Sequence, residues 1–259
     1  MTSVKWQRYC YIKILFIIAS LSFPMQASAV INAEDSLLHM NQEGLAGNLG
    51  LSINGNSGNS AKSNADIDSK LIWRHGVHTD MLMASFNQGQ SRGKRNINKS
   101  YIHIRHRYAL DQSWDIEVFG QAQKNEFSLL QLRTLVGAGM RWSLQKENRW
   151  ALHLGLGSFY EREQLKITHA PITTLWRMNS YLSLHYILNE KIQFRNTLYY
   201  QPAWKDTADI RLLDDATCNI VITDRMNLKL SLQVSHDSRP PIGVLATDTY
   251  YKTGLEIHF

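Results

Sequence analysis

Cysteine is nearly absent: Cys10 and Cys218 are the only two in 259 residues. Cys10 lies in a segment that reads as a cleaved leader, so the mature chain keeps one thiol and no intrachain disulfide is expected. The same scarcity excludes the usual Cys/His zinc centres, which need several ligands at close spacing. Long hydrophobic runs are also scarce. Mean hydropathy is −0.30, and the single long apolar stretch is N-terminal, which excludes a protein of several membrane helices. A dense basic stripe is missing as well. Lys and Arg number 28 against 22 Asp and Glu, but they are scattered, which argues against a nucleic-acid partner. Gly44, Gly47, Gly50, Gly55 and Gly58 form a glycine-rich opening with no strand-to-helix context behind it, so a phosphate loop is excluded. No cofactor and no metal are expected.

The N-terminus carries an address. Lys5, Arg8 and Lys13 precede an apolar run from Ile14 to Phe23, followed by Ala27-Ser28-Ala29. A charged start, an apolar centre too short to span a bilayer and an A-x-A ending are the parts of a secretory signal peptide. Cleavage is expected after Ala29, giving a leader (1–29), a short periplasmic segment (30–43) and a folded domain (44–259). Loss of the leader removes three positive charges and no negative one, so the net charge falls from +6 to +3. The residue directly after the cleavage point is Val30, not Cys, so no lipid-modified terminus is expected.

From Gly44 onward the chain alternates with period 2 in segments longer than soluble strands usually reach. Leu45, Gly47, Leu49, Leu51 and Ile53 oppose Ala46, Asn48, Gly50, Ser52 and Asn54. Trp150, Leu152, Leu154 and Leu156 oppose Ala151, His153, Gly155 and Gly157, and Leu228, Leu230, Leu232 and Val234 oppose Lys229, Ser231, Gln233 and Ser235. One face suits lipid and the other water. Twelve such segments can be counted, near 44–54, 66–75, 78–88, 99–109, 113–123, 128–143, 149–160, 172–187, 191–201, 209–222, 226–235 and 247–259. Connectors alternate between longer polar ones, such as Gly55–Ala65, Gly89–Asn98 and His236–Ala246, and tight ones near Gly76, Asp111, Lys146, Asn189 and Asp224. The pattern predicts an all-β transmembrane antiparallel barrel of about twelve strands, with long external loops and short periplasmic turns, in the bacterial outer membrane.

Aromatic residues near strand ends, among them Trp73, Trp114, Trp142, Trp150, Tyr160, Trp176, Tyr186 and Tyr200, fit headgroup-level girdles. The chain ends on Phe259, which resembles the terminal strand signal read by the barrel assembly machinery. The opening GLAGNLGLSINGNSGNS, the run FSLLQLRTLVGAGMRW, the following LGLGSFYERE and the terminal HDSRPPIGVLATDTYYKTGLEIHF resemble a domain-of-unknown-function family described as salt-induced outer-membrane proteins. That resemblance implies a barrel, an outer-membrane address and a link to envelope or salt stress. It brings no catalytic residues with it.

Several groups are candidates for chemistry. The wet face carries Arg105, Arg107, Arg133, Arg141, Arg177, Arg195 and Arg211 among its bases, against Asp115, Glu117 and Glu161 among its acids. With a turn centred on Asp111, Arg107 would face Asp115 and Arg105 would face Glu117, while a loop centred on Asn125 would set Glu117 opposite Arg133. These arginines read as cross-strand struts or as the lining of an anion-favouring pore. The inward Gly137, Gly139, Gly155 and Gly157 permit a bend or leave the lumen locally open. His236-Asp237-Ser238 is a polar turn, or the base and nucleophile of a barrel-borne lipid hydrolase. Glu161 and Glu163 around Arg162 read as a charged strand top at headgroup level. Asp214 falls on the lipid face, which calls for a bulge near Leu213–Asp215 or a position above the hydrocarbon. Arg92, Lys94 and Arg95, in a loop that this topology places outside, could bind lipopolysaccharide phosphates. A structural or passive permeation role is expected; the alternatives are the Ser238/His236 hydrolase and a barrel that binds lipopolysaccharide or a partner through its surface.

Overall fold

The computed structural model describes residues 43–57, 61–146, 149–223 and 226–257. The leader with its expected cleavage after Ala29, nearly all of the 30–43 segment, and Phe259 lie outside the described residues. Twelve strands follow in order: β1 (Gly44–Asn56), β2 (Lys62–His75), β3 (His78–Ser91), β4 (Lys94–Ala109), β5 (Trp114–Asn125), β6 (Leu130–Lys146), β7 (Trp150–Leu165), β8 (Thr173–Asn189), β9 (Ile192–Pro202), β10 (Ile210–Thr223), β11 (Met226–Asp237) and β12 (Thr247–Ile257). Each pairs antiparallel with the next, so chain order is also sheet order. Among the described residues there is no helix, and β1 and β12 are each paired on one side only.

Period-2 alternation decides which face is buried. On β4, His103 and Arg105 are 1% and 4% exposed, while their neighbours Ile102 and Ile104 are 47% and 56% exposed. The usual soluble arrangement is inverted: charged groups point into the protein and aliphatic ones away from it. That inversion requires the sheet to curl. The curl is visible in contacts that skip strands, since Arg211 of β10 reaches Glu163 of β7 at 2.9 Å and Tyr181 of β8 reaches Glu117 of β5 at 2.9 Å. Lys99 of β4 interacts electrostatically with Asp66 and Asp68 of β2 and with Asp248 of β12, so the two ends of the sheet roll toward each other.

The concave side is packed. Ile72, Met81 and Met83 form one apolar cluster with Tyr101 against it, Phe119, Leu135 and Phe159 a second, and Tyr181, Tyr199 and Leu213 a third. Burying a large apolar side chain contributes about 1.5–3 kcal/mol. On the convex side, aromatic rings collect at the short-turn end: Trp73, Tyr108, Trp114, Trp142, Trp150 and Tyr186, with Trp114 and Trp142 stacked at 5.1 Å between centroids.

The connectors alternate as expected, with one correction. The segment Gly89–Asn98 is no long loop: β3 continues to Ser91 and β4 starts at Lys94. Arg92 (φ 50°) and Gly93 (φ 72°) alone make the turn, and two successive positive φ values match the twist of a tight hairpin. For Asp214, the structure removes one of the two expected alternatives, the bulge. Pairing of β10 with β9 and β11 is continuous through Leu213, Asp214 and Asp215, so no bulge lies there. Asp214 stays outward and accepts a hydrogen bond from Asn196 Nδ2 at 2.6 Å.

Candidate functional site

Inward charges of β4 to β11 gather into two networks. The first lies toward the short-turn end. Arg107 donates to Glu117 Oε1 through Nε at 2.9 Å and Nη2 at 2.6 Å. Arg105 Nη1 sits 3.5 Å from the other oxygen of Glu117, and its guanidinium lies 5.4 Å from the centre of the Phe119 ring. Arg141 Nη1 reaches Asp115 at 3.0 Å. The facing pairs thus differ from the three expected from the sequence. Arg107 stands opposite Glu117, Arg105 opposite Phe119 and Arg141 opposite Asp115. The cause is local: Asp111 Oδ1 accepts from the backbone N–H of Ser113 and Trp114 at 2.7 and 2.9 Å, which shifts the centre of the turn beyond Asp111 and slides the register. The expected diagonals persist as long contacts, Arg107 to Asp115 being 3.9 Å.

The second network lies toward the long-loop end and has Glu161 at its centre. Arg177 Nε lies 3.4 Å from Glu161, Arg133 Nε 3.7 Å from it, and Arg211 Nη1 donates to it as well. Glu163 takes Arg133 at 2.6 Å and Arg211 at 2.9 Å. Asp209 takes Arg177 at 2.8 Å and Asp237 takes Arg211 at 3.0 Å. Arg133 therefore pairs with Glu161 and Glu163 of β7, and stands opposite Gln123 on β5 instead of Glu117. The cause is the position of the loop: β5 runs on to Asn125 and β6 starts only at Leu130, so the connection is centred beyond Asn125 and every β5–β6 partner moves with it. Glu161 and Glu163 are inside the protein, not a charged strand top; Arg162 alone points out, as alternation requires.

The inward glycines leave no opening. A Cβ at Gly155 would overlap the ring of Tyr181, and one at Gly137 would lie 2.6 Å from Phe119 and Phe159. At Gly139 and Gly157 the β6 and β7 backbones themselves approach closely. The missing side chains make room for aromatic rings from neighbouring strands, so the space is filled. Tyr181 and Asp209 were not legible as site residues, because their partners lie three strands away or beyond a loop.

Ser238 and His236 are not arranged as nucleophile and base. Ser238 Oγ donates to Ala208 O at 3.0 Å and accepts from the Ile210 N–H at 2.8 Å. His236 Nδ1 bonds Thr247 Oγ1 at 2.8 Å. Asp237 holds Arg211 and accepts from the Arg239 N–H at 2.9 Å, so the tripeptide is a polar turn that ties two loops together.

At the hairpin tip, Arg92 and Lys94 flank Gly93, while Arg95 already bonds Glu126 at 3.1 Å. Glu126, in the β5–β6 loop, also accepts from Lys166 at 2.8 Å and Asn98 at 2.7 Å. Hydrogen bonds from Lys166, Asn98 and Arg95 hold its carboxyl down at about 2.

Residues 49–259 match the model of the family described as "Protein of unknown function, DUF481". No curated protein matches. Among solved structures, the NanC porin is 12% identical with a TM-score of 0.48, the match covering 81% of this chain and 100% of that one. A bacterial polysaccharide outer membrane secretin is 10% identical with a TM-score of 0.47, covering 77% and 83%. The KdgM porin in complex with disordered oligogalacturonate is 10% identical with a TM-score of 0.39, covering 77% and 98%.

Proposed function

The chain belongs to the family described as "Protein of unknown function, DUF481", and we propose that it is an outer-membrane β-barrel of passive, non-enzymatic role whose lumen is constricted by its own side chains. The convex aliphatic face and the aromatic ring at the short-turn end are what a bilayer requires of a barrel. Orientation follows from the loops: short turns in the periplasm, long loops outside. The observation that carries the constriction is the pairing of the inward arginines. Arg105, Arg107, Arg133, Arg141, Arg177 and Arg211 all hold carboxylates, which favours struts over an anion-selective lining. Barrels of modest size are commonly filled in this way. The link to envelope or salt stress belongs to the same proposal.

Single-channel recording of the refolded protein in planar bilayers tests it. Small conductance with little preference between anions and cations is expected; a large, strongly anion-selective conductance would contradict the constricted lumen.

The β3–β4 hairpin supports a second element of the proposal, contact with lipopolysaccharide phosphates. Arg92 and Lys94 lie at its tip, and Arg can bind phosphate in bidentate fashion. Replacing Arg92, Lys94 and Arg95 with Gln should reduce co-purifying lipopolysaccharide while the heat-modifiable gel shift of the folded barrel persists. Unchanged lipopolysaccharide would count against the contact.

A further inference from the structure

On the convex face, at the short-turn end of β2 to β4, lies a group that the proposed function does not use. His75 and His78 flank the β2–β3 turn, and His106 lies diagonally from His78 on β4. Their rings form a continuous run. His75 stacks on Trp73 at 4.1 Å between centroids, His78 lies 5.2 Å from His75 and 5.3 Å from His106, and Tyr108 lies 5.1 Å from His78. Asp80 is the carboxylate of the group, 2.7 Å from His106 Nδ1 and 3.9 Å from His75 Nδ1. The aromatic girdle is interrupted here by three imidazoles and one acid.

The hydrogen bonding fixes what His106 can do. A carboxylate accepts only, so Nδ1 of His106 carries the proton and Nε2 of the neutral ring presents a lone pair. That Nε2 points to His78 Nδ1 at 3.4 Å, longer than a good N–H···N bond. The length has another meaning. Two imidazole nitrogens bound at Zn–N distances of about 2.0–2.1 Å with a tetrahedral angle stand about 3.3–3.4 Å apart, whereas neighbouring positions of an octahedral or square-planar ion stand about 2.9 Å apart. A carboxylate behind a ligating imidazole is also the usual outer support of a zinc histidine. Imidazole favours zinc-class ions over magnesium or calcium. Access is open, since the His106 and Asp80 side chains are 44% and 41% exposed.

We propose that His78 and His106 form a two-imidazole site for a zinc-class divalent cation, with Asp80 orienting His106. Among the described residues no three His, Cys, Asp or Glu side chains converge as a closed metal centre would, so the site is an open one whose other positions belong to water. His75 Nδ1, buried and without a hydrogen-bond partner among the described residues, lies 3.9 Å from the same Asp80 carboxylate. The geometry does not depend on the proposed orientation; only the compartment supplying the ion does.

Cobalt(II) is the probe, because tetrahedral Co²⁺ absorbs visible light far more strongly than octahedral Co²⁺. The refolded full mature chain, free of any affinity tag, is titrated with Co²⁺ and then with Zn²⁺. The expected result is a tetrahedral band saturating at one equivalent and lost on adding one equivalent of Zn²⁺. H78Q and H106Q should each abolish the band and weaken Zn²⁺ binding at least tenfold by calorimetry. D80N should keep the band with binding weakened about 10–100-fold. The gel shift of the folded barrel checks that each variant has folded. No band, an octahedral spectrum, or a band unchanged in H78Q would overturn the site, and none of these results bears on the conductance of the barrel.

Discussion

The Tyr181 hydroxyl of β8 donates to Glu117 Oε2 of β5 at 2.9 Å, passing over β6 and β7 through the gap that Gly155 leaves. One bond thereby ties the aromatic packing of the interior to its charge network. Tyr181→Phe removes a hydrogen bond to a charged acceptor, and we expect a loss of about 1.5–3 kcal/mol in urea unfolding from vesicles. Gly155→Val displaces the ring, so it forfeits that bond and adds an overpacking cost of about 1–3 kcal/mol. A valine variant as stable as the wild type would mean that Tyr181 does not lie over Gly155.

Glu161 meets three arginines. Replacing buried charge pairs wholesale with apolar groups is often harmless, but removing one partner leaves the others uncompensated, at about 3–5 kcal/mol. Glu161→Gln should therefore lower stability by that order. Arg162→Gln, one residue away on the outward face, should change it by less than about 0.5 kcal/mol. Equal effects of the two would place both residues in the same environment and contradict the network.

Glu126 gives a pH dependence outside the strands. Its carboxyl is held at about 2 by Lys166, Asn98 and Arg95, below its ordinary value. A depressed carboxylate contributes stability that is fully present above the unfolded value, near 4.5, and is lost as pH falls through the folded one. The tie between the β5–β6 and β7–β8 loops should hold from neutral pH to about 4.5 and loosen toward pH 2. Hydrogen exchange of the loop amides by mass spectrometry checks this. Glu126→Gln should already exchange quickly at neutral pH and show no further acid step; an acid step of the same size in that variant would assign it elsewhere.

Strand number, order and facing were legible in the sequence because period-2 alternation is a local property that survives to the folded state. The partners across the interior were not. Arg107 and Glu117 could be recognised as inward, but which acid faces which base depends on the Asp111 turn, whose side-chain bonds move the register by more than periodicity can detect. His153 illustrates the same limit. Alternation places it on the wet face, yet it is 5% exposed and bonded to Ser143 Oγ at 3.1 Å, because curling turns a wet face into a packed core. Glycines 137 and 155 suggested space, whereas the rings that fill it come from Phe119, Phe159 and Tyr181 on neighbouring strands.

Closure of the sheet makes a further prediction. Outward residues of β1 include Leu49, Leu51 and Ile53, and those of β12 include Tyr251, Thr253 and Leu255. An even strand count sets β12 antiparallel to β1, and like faces must align, so even-numbered residues stand opposite even-numbered ones. In a Cys218→Ser background, a cysteine at Gly50 should form a disulfide with one at Lys252 or Gly254 and none with one at Thr253. A crosslink to position 253 alone would require the faces to be mismatched at the seam.

The most direct measurement of an outward-apolar wall around a packed interior is a spin-label scan of β4 in vesicles. Labels at Ile102, His103, Ile104 and Arg105 are compared for collision with oxygen, which partitions into lipid, and with a water-soluble nickel complex. High oxygen contact at 102 and 104, with neither reagent reaching 103 and 105, is the result expected. Free access of the nickel complex to 103 and 105 would mean a wide, water-filled lumen and would contradict the constricted barrel.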